Sequence, residues 1–279
     1  MLVRSWGSRG SISVSGKEYL KYGGETSCIE IQTSSGDLII LDAGSGIRKL
    51  GNRLMEDKPQ VINIFFTHAH WDHLSGFPFF KPVHATFSKI NVYGPEMTQD
   101  SVRNILSKAM KAPYFPVELE DINGDVHFRE IVGKAIQIGS ASVETIALNH
   151  TNEGVGYKIT DNGKTFVFLT DNELTHEHEG GASLEEYIEF SRGVDLLFHD
   201  AEYTPEDYKH TKGWGHSVYI DTVNMAIEAG VKTLGLFHHN QDRTDEGVDK
   251  ILKHSKEIIK EKNSPMNCIA VSSETEIKL

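Results

Sequence analysis

From Thr67 to Leu74 the chain reads T-H-A-H-W-D-H-L, which places His68, His70, Asp72 and His73 within six residues. Imidazole is the commonest metal ligand among side chains, and two histidines at i and i+2 can grip one ion. Asp72 and His73 then face a second position in the same turn. Further metal-capable residues stand apart downstream: His150, Asp171, Asp200 beside His199, and His238 beside His239. Counting ligands gives His68, His70 and His150 to one ion. It gives Asp72, His73 and His238 to a second, with Asp171 bridging. Mixed nitrogen and oxygen ligation suits two Zn2+ per chain and also admits Mn2+ or Fe. Two ions ~3.5–4 Å apart can share a hydroxide formed at neutral pH and clamp an in-line displacement, which is hydrolytic chemistry.

These residues need a common edge, and the apolar runs supply one. Strands are expected at 37–41 before Asp42, 61–66 before His68 and 142–148 before His150. Others are expected at 165–169 before Asp171, 194–198 before Asp200 and 233–237 before His238. In an open α/β sheet such strand ends gather at one edge, where sites form. Further strands are read at 28–33, 90–93, 126–132, 135–138, 155–160 and 268–272. Ser35-Gly36 and Asn162-Gly163 read as hairpin turns. Helical spacing covers 44–56, 98–110, 183–191, 217–229 and 244–262, with Ser217 placed as an N-cap. Runs of strands broken by single helices predict sheets packed face to face with helices outside. One domain is expected over residues 1–279.

The chain has 28 Lys and Arg against 40 Asp and Glu, a formal net charge of −12. Such a surface repels long nucleic acids and anionic membranes. Its two cysteines, Cys28 and Cys268, lie in apolar runs and read as buried free thiols. The opening residues lack the apolar stretch of a signal peptide, and no segment approaches the ~18 apolar residues of a membrane span. A cytoplasmic setting is the expectation.

The HAHWDH motif, with His150, Asp171 and His238 in order after it, resembles the metallo-β-lactamase superfamily. LDAGSG at 41–46 resembles that superfamily's early Asp-Gly turn. The resemblance implies a four-layer αββα sandwich with a dinuclear site at one edge, and Asp42 as a brace behind the ligands. An aspartate at the bridging position resembles the phosphodiesterase and glyoxalase branches. HDAEYT at 199–204 and GWGHS at 213–217 resemble two segments of the tRNA 3′-processing endonucleases, with Asp200 at the acid and His216 at the histidine. That pair is implied to work beside the scissile phosphate. His216 also precedes an expected helix start, and an imidazolium there could protonate a leaving oxygen. No insertion resembles the Gly/Pro-rich arm with which those enzymes grip tRNA.

SWGSRGS at 5–11 and YGGETSC at 22–28 look closer to a group containing phosphoribosyl cyclic phosphate and cyclic nucleotide phosphodiesterases. With two cysteines the chain departs from the extra Cys-rich zinc site of the phosphoribosyl enzymes. The expected function is therefore hydrolysis of a small cyclic phosphodiester, a 3′,5′-cyclic nucleotide first, by metal-hydroxide attack on phosphorus. Asp72 would orient the hydroxide, and His216, held by Asp200, would protonate the leaving ribose oxygen. An RNA 3′-end endonuclease, or an acyl hydrolase of thioesters, lactones or β-lactams, are the alternatives.

Other residues are assigned more openly. Ser8, Arg9, Thr26 and Ser27 could touch substrate phosphate. His199 could orient a ligand. His239 competes with His238, which comes first after its strand. His176 and His178 read as a surface loop over the site. Tyr114, Phe115 and Trp214 could stack on a base. Relatives suggest a homodimer.

Overall fold

The computed structural model describes residues 1–56, 61–95, 100–131 and 135–279. Its first sheet holds β1 (Leu2–Gly7), β2 (Cys28–Gln32), β3 (Leu38–Leu41), β4 (Val61–Phe65), β5 (Lys89–Gly94) and β6 (Asp125–Glu130). Its second holds β7 (Ala135–Ile138), β8 (Ala141–Ala147), β9 (Val155–Asp161), β10 (Lys164–Leu169), β11 (Leu196–Asp200), β12 (Thr233–Phe237) and β13 (Asn267–Ala270). A last strand, β14 (Glu276–Lys278), returns to pair antiparallel with β1, so among the described residues each sheet has seven strands. The helices are α1 (Ile47–Leu54), α2 (Trp71–Leu74), α3 (Val102–Ala109), α4 (Leu184–Phe190), α5 (Pro205–Thr211), α6 (Tyr219–Glu228) and α7 (Asp245–Glu261).

Period-two alternation divides the apolar residues among three cores. In β3, Ile39 and Leu41 face the inter-sheet core, while Leu38 and Ile40 face the layer that contains α1. In β10, Phe166 and Phe168 point between the sheets, and Val167 and Leu169 point toward α4 and α6. Both faces are thus buried, which explains why these strands read as unbroken apolar runs. The result is the expected αββα sandwich.

Strands β3 to β6 run parallel, as do β10 to β13, so their carboxyl ends open toward the same rim within each sheet. The two read hairpins are present as antiparallel pairs β2–β3 and β9–β10. In the second, Asn162 (φ 49°) and Gly163 (φ 74°) supply the left-handed pair that a tight hairpin requires. Four of the five expected helices are shorter than read by one to three residues at each end. The remaining one, expected over 98–110, is α3, and residues 98–99 lie outside the described residues, as does residue 132 of the strand read at 126–132. The expected cap of α6 is corrected: Val218 occupies the N-cap and makes no side-chain cap bond. Ser217 is instead drawn inward, its Oγ donating to the Asn172 carbonyl at 2.5 Å. Strands β1 and β14 and helices α2 and α5 were not anticipated.

Candidate metal centre

Six strand ends deliver the polar residues. The turn after β4 carries Thr67, His68, His70, Asp72 and His73, and α2 fixes the last two on one short helical turn. His150 follows β8, Asp171 follows β10, Asp200 and Glu202 follow β11, His238 follows β12 and Asp42 follows β3. Three of these turn so sharply that a non-glycine residue adopts left-handed backbone: Asp42 (φ 61°), Asp171 (φ 51°) and His238 (φ 57°).

Ligand atoms of His68, His70 and His150 lie within 4.8 Å of one another, and so do those of Asp72, His73, Asp171 and His238. In the first cluster, His70 Nδ1 and His150 Nε2 are 3.0 Å apart. His150 Nδ1–H donates to the Gly215 carbonyl at 2.9 Å, which leaves Nε2 to face inward. A Cβ on Gly215 would lie 2.0 Å from that Nδ1, so the close backbone approach requires glycine. Burial pushes the His68 imidazole well below its ordinary pKa and His150 down to about 3. Burial lowers His70 as well, so all three rings favour the neutral form in which an imidazole can ligate a cation.

In the second cluster, His238 Nε2 lies 3.1 Å from Asp171 and 3.2 Å from Asp72. His73 Nε2 lies 3.2 Å from each of the same two carboxylates. Asp171 Oδ1 is also 3.7 Å from His68 Nε2 and 3.9 Å from His150 Nε2, so Asp171 stands between the clusters. Burial is the largest influence on His73 and His238 and opposes their charge, yet the surrounding carboxylates, Asp171 foremost, together outweigh it and raise both pKa values well above the ordinary range.

Behind the ligands stand carboxylate braces. Asp42 accepts from His73 Nδ1 at 2.7 Å and from the Thr67 amide at 2.8 Å. Glu202 accepts from His238 Nδ1 at 2.8 Å and is itself held by Asn240 at 2.8 Å. Such partners fix ring orientation and raise ligand basicity.

The residues fit a divalent cation. His68 Nε2 and His73 Nε2 are buried and make no hydrogen bond. An orphaned imidazole nitrogen is costly in a protein interior, and coordination satisfies it.

A third group adjoins the ligands. His216 Nδ1 donates to Asp200 at 2.7 Å, and its ring stacks on His238 at a centroid distance of 4.7 Å. Burial works against an imidazolium there, but the charges of Glu202 and Asp200 outweigh it and raise His216 to about 9. The ring also lies 5.1 Å from that of His150. Ser217 N and Glu202 N both donate to Asp200 Oδ1, so the acid holds the whole turn.

Several expected residues are engaged elsewhere. Ser8 Oγ donates to the Val271 carbonyl at 2.9 Å. The Arg9 guanidinium is fully buried and donates to the carbonyls of Gly23, Asn240 and Arg243. Thr26 exchanges hydrogen bonds with Ser45, and Ser27 Oγ donates to Asp42. These four buried residues tie the first loop to its neighbours, and the same loop braces the candidate site through Ser11 N, which donates to Asp72 at 2.8 Å. His199 contacts Asp200 O, Thr222 and Asn172 rather than a ligand ring. His239 turns away and meets the Val271 carbonyl at 2.8 Å. His178 is bonded to Glu173 at 2.9 Å. Phe115 packs edge-on against Phe79, whereas Tyr114 and Trp214 are exposed.

Sequence reasoning missed Glu202 and Glu173. Glu202 lies two residues past Asp200 in HDAEYT, and that alternate spacing was the available signal. Glu173 is buried and accepts from the amides of Gly213 and Gly215 at 2.8 Å each, positioning the His216 loop. Nothing local marked it. A cavity of about 250 Å3 opens beside the first cluster, lined by His68, His70, Asn152, Ile105, Asp100 and Lys108.

Residues 38–239 match the family model described as Beta-lactamase superfamily domain. The chain is 23% identical to a ribonuclease Z of Oceanobacillus iheyensis over 72% of this chain and 78% of that one. It is 25% identical to a ribonuclease Z of Thermococcus kodakarensis over 73% and 75%. Among solved structures it resembles the metallo-beta-lactamase fold protein YhfI from Bacillus subtilis, with a TM-score of 0.71, 16% identity and coverage of 99% and 98%. It also resembles a diphosphatase from the PhnP family (TM-score 0.70, 18% identity, coverage 100% and 97%). A third is unliganded yeast PDE1 (TM-score 0.71, 15% identity, coverage 100% and 99%).

Proposed function

The chain belongs to the beta-lactamase superfamily, and from that premise we propose that it is a metal-dependent hydrolase of the phosphodiesterase and tRNA-processing branch, cleaving a phosphodiester with His216 as the proton donor to the leaving ribose oxygen. The observation that supports this most is the 2.7 Å pair of Asp200 and His216 beside the ligand clusters. An acyl hydrolase has less need of a proton-holding imidazole there.

His68, His70 and His150 would hold one ion, and Asp72, His73 and His238 the second, with Asp171 shared. We take both as Zn2+, with Mn2+ or Fe as substitutes. Bound ions supply Lewis acidity to the phosphoryl group and to a water at neutral pH. The chain's own residues do the rest. Asp72, steadied by the Ser11 amide, orients the attacking water. His216 keeps its proton on the side facing the site while Asp200 holds Nδ1, and Nε2–H donates to the departing oxygen. The fold acts as one domain over 1–279.

The substrate class has two readings. The ribonuclease Z relatives favour an RNA 3′-end, which was the alternative reading of the sequence. The net charge of −12 and the 250 Å3 cavity favour a small 3′,5′-cyclic nucleotide, because neutralising many phosphates needs a basic face. Incubating zinc- or manganese-loaded protein with precursor tRNA, and separately with 3′,5′-cyclic AMP, GMP, CMP and UMP, tests both readings. Trimming of the precursor alone selects RNA. Conversion of one cyclic nucleotide to a single mononucleotide isomer selects the small substrate. Turnover of neither, by protein with two ions per chain, would end the phosphodiesterase proposal.

A further inference from the structure

Trp71 sits between two candidate ligands, His70 and Asp72, yet its side chain is 66% exposed. The short helix of the candidate ligand turn fixes its backbone, and the core packing leaves its indole open to solvent. It lines a second cavity of about 480 Å3 with Leu74 and Tyr114, the latter 82% exposed. That cavity shares Ala69, Ile105 and Lys108 with the 250 Å3 cavity beside His68 and His70. The two therefore adjoin along a shared wall as halves of one trough, the first beside the candidate ligand cluster and the second lined by aromatic side chains. Lys108 lines both, and its Nζ is paired with Asp100 at 2.5 Å, so an ion pair stands where the two meet.

Aromatic rings exposed beside a phosphate-cleaving centre are what a nucleobase needs, since every base has a π-face to stack. Lys108 would meet the phosphate joined to that base by exchanging Asp100 for it, a partner change that costs little for so exposed a lysine. We propose that the aromatic half of the trough is a nucleobase subsite, in which Trp71 and Tyr114 hold the base of a nucleotide substrate and Lys108 faces its phosphate. This rests on the phosphodiesterase reading, and the test separates the two.

The probes are AMP and ribose 5-phosphate, which differ by the base alone, titrated calorimetrically into zinc-loaded protein. Wild type is expected to bind AMP about 10-fold more tightly than ribose 5-phosphate. Trp71→Ala should close that gap without moving ribose 5-phosphate, and Trp71→Phe should keep most of it. Tyr114→Ala, outside the metal motif, should give a smaller loss of the same kind, and it guards against a Trp71→Ala protein with a damaged ligand turn. Equal binding of the two probes by wild type would overturn the subsite, as would a gap that survives both alanine variants. A wild-type dimer that Trp71→Ala converts to monomer, with AMP affinity unmoved, would give this face to a second copy and also overturn it. If the gap is present but no phosphodiester is cleaved, the subsite stands and the phosphodiesterase reading falls. If cleavage is present without a gap, the reverse holds.

Discussion

His68 and His150 are braced by neutral groups, the Thr67 hydroxyl and the Gly215 carbonyl. His73 and His238 are braced by the carboxylates Asp42 and Glu202. The first pair is buried and driven toward the neutral form, with pKa values far below the ordinary range. The second pair is buried as deeply but surrounded by anions and driven toward the protonated form. The same side chain is thus offered to metal in two electrical states. The imidazole cluster would need no proton release to bind an ion, whereas the carboxylate-rich cluster would exchange protons for one and hold it with more negative charge. The difference teaches that the partners behind the rings, and not the rings alone, set how each half of the centre behaves.

The largest test of that contrast is Asp171, whose carboxylate lies within 4 Å of ring nitrogens in both clusters. Asp171→Ala is expected to lose metal from both and all turnover, by elemental analysis and assay. His68→Ala should lose only the first ion and His238→Ala only the second. Loss of both ions in His68→Ala would mean the clusters are one unit. Next in size is His216→Ala, which should keep both ions and lose ~10²–10⁴-fold in kcat. Full activity in the metal-replete variant would remove the proton-donor assignment. Smaller again is Asp42→Asn, expected to weaken the second cluster ~10–100-fold in metal affinity through His73 and the first by less, through Thr67. Competition with a chromogenic chelator reads the two steps apart.

The smallest effect uses a histidine outside both clusters. Burial lowers His199 to about 4 in the folded chain, against an ordinary 6.5. The unfolded chain therefore binds more protons between those pH values, and stability falls as pH drops through that window. The stabilisation is complete above pH 6.5, and up to ~3 kcal/mol of it is lost by pH 4. Denaturant titration of metal-free His199→Gln at pH 7 and pH 4.5 should show a shallower loss than wild type.

What could be read beforehand follows the range over which each signal acts. Buried parallel strands such as β4 announce themselves because both faces are apolar. Strand β1 does not: Arg4 and Trp6 alternate with Val3 and Ser5, and its pairing with β14 joins residues from opposite ends of the chain. The first half of the centre is legible because HAHWDH is contiguous. Asp171 and His238 are legible because each follows an apolar run. Glu173 is not, because its work is done on amides at Gly213 and Gly215, reached only by folding. Ser8 and Arg9 sit in a glycine-flanked loop that reads as open to anions, yet the same loop folds under and spends its donors on backbone carbonyls.

The left-handed backbone at Asp42, Asp171 and His238 has a consequence for how this protein tolerates change. Residues with a branched Cβ pay ~1–2 kcal/mol or more in that conformation, while glycine pays nothing and asparagine and aspartate little. A library randomised at these three codons and sorted for soluble expression alone, with no demand for activity, would still return Gly, Asn and Asp and discard Val, Ile and Thr. At these positions the alphabet is narrowed by geometry before chemistry chooses from it, and the inactive survivors richest in asparagine would be the stable, metal-poor scaffolds from which to rebuild the centre.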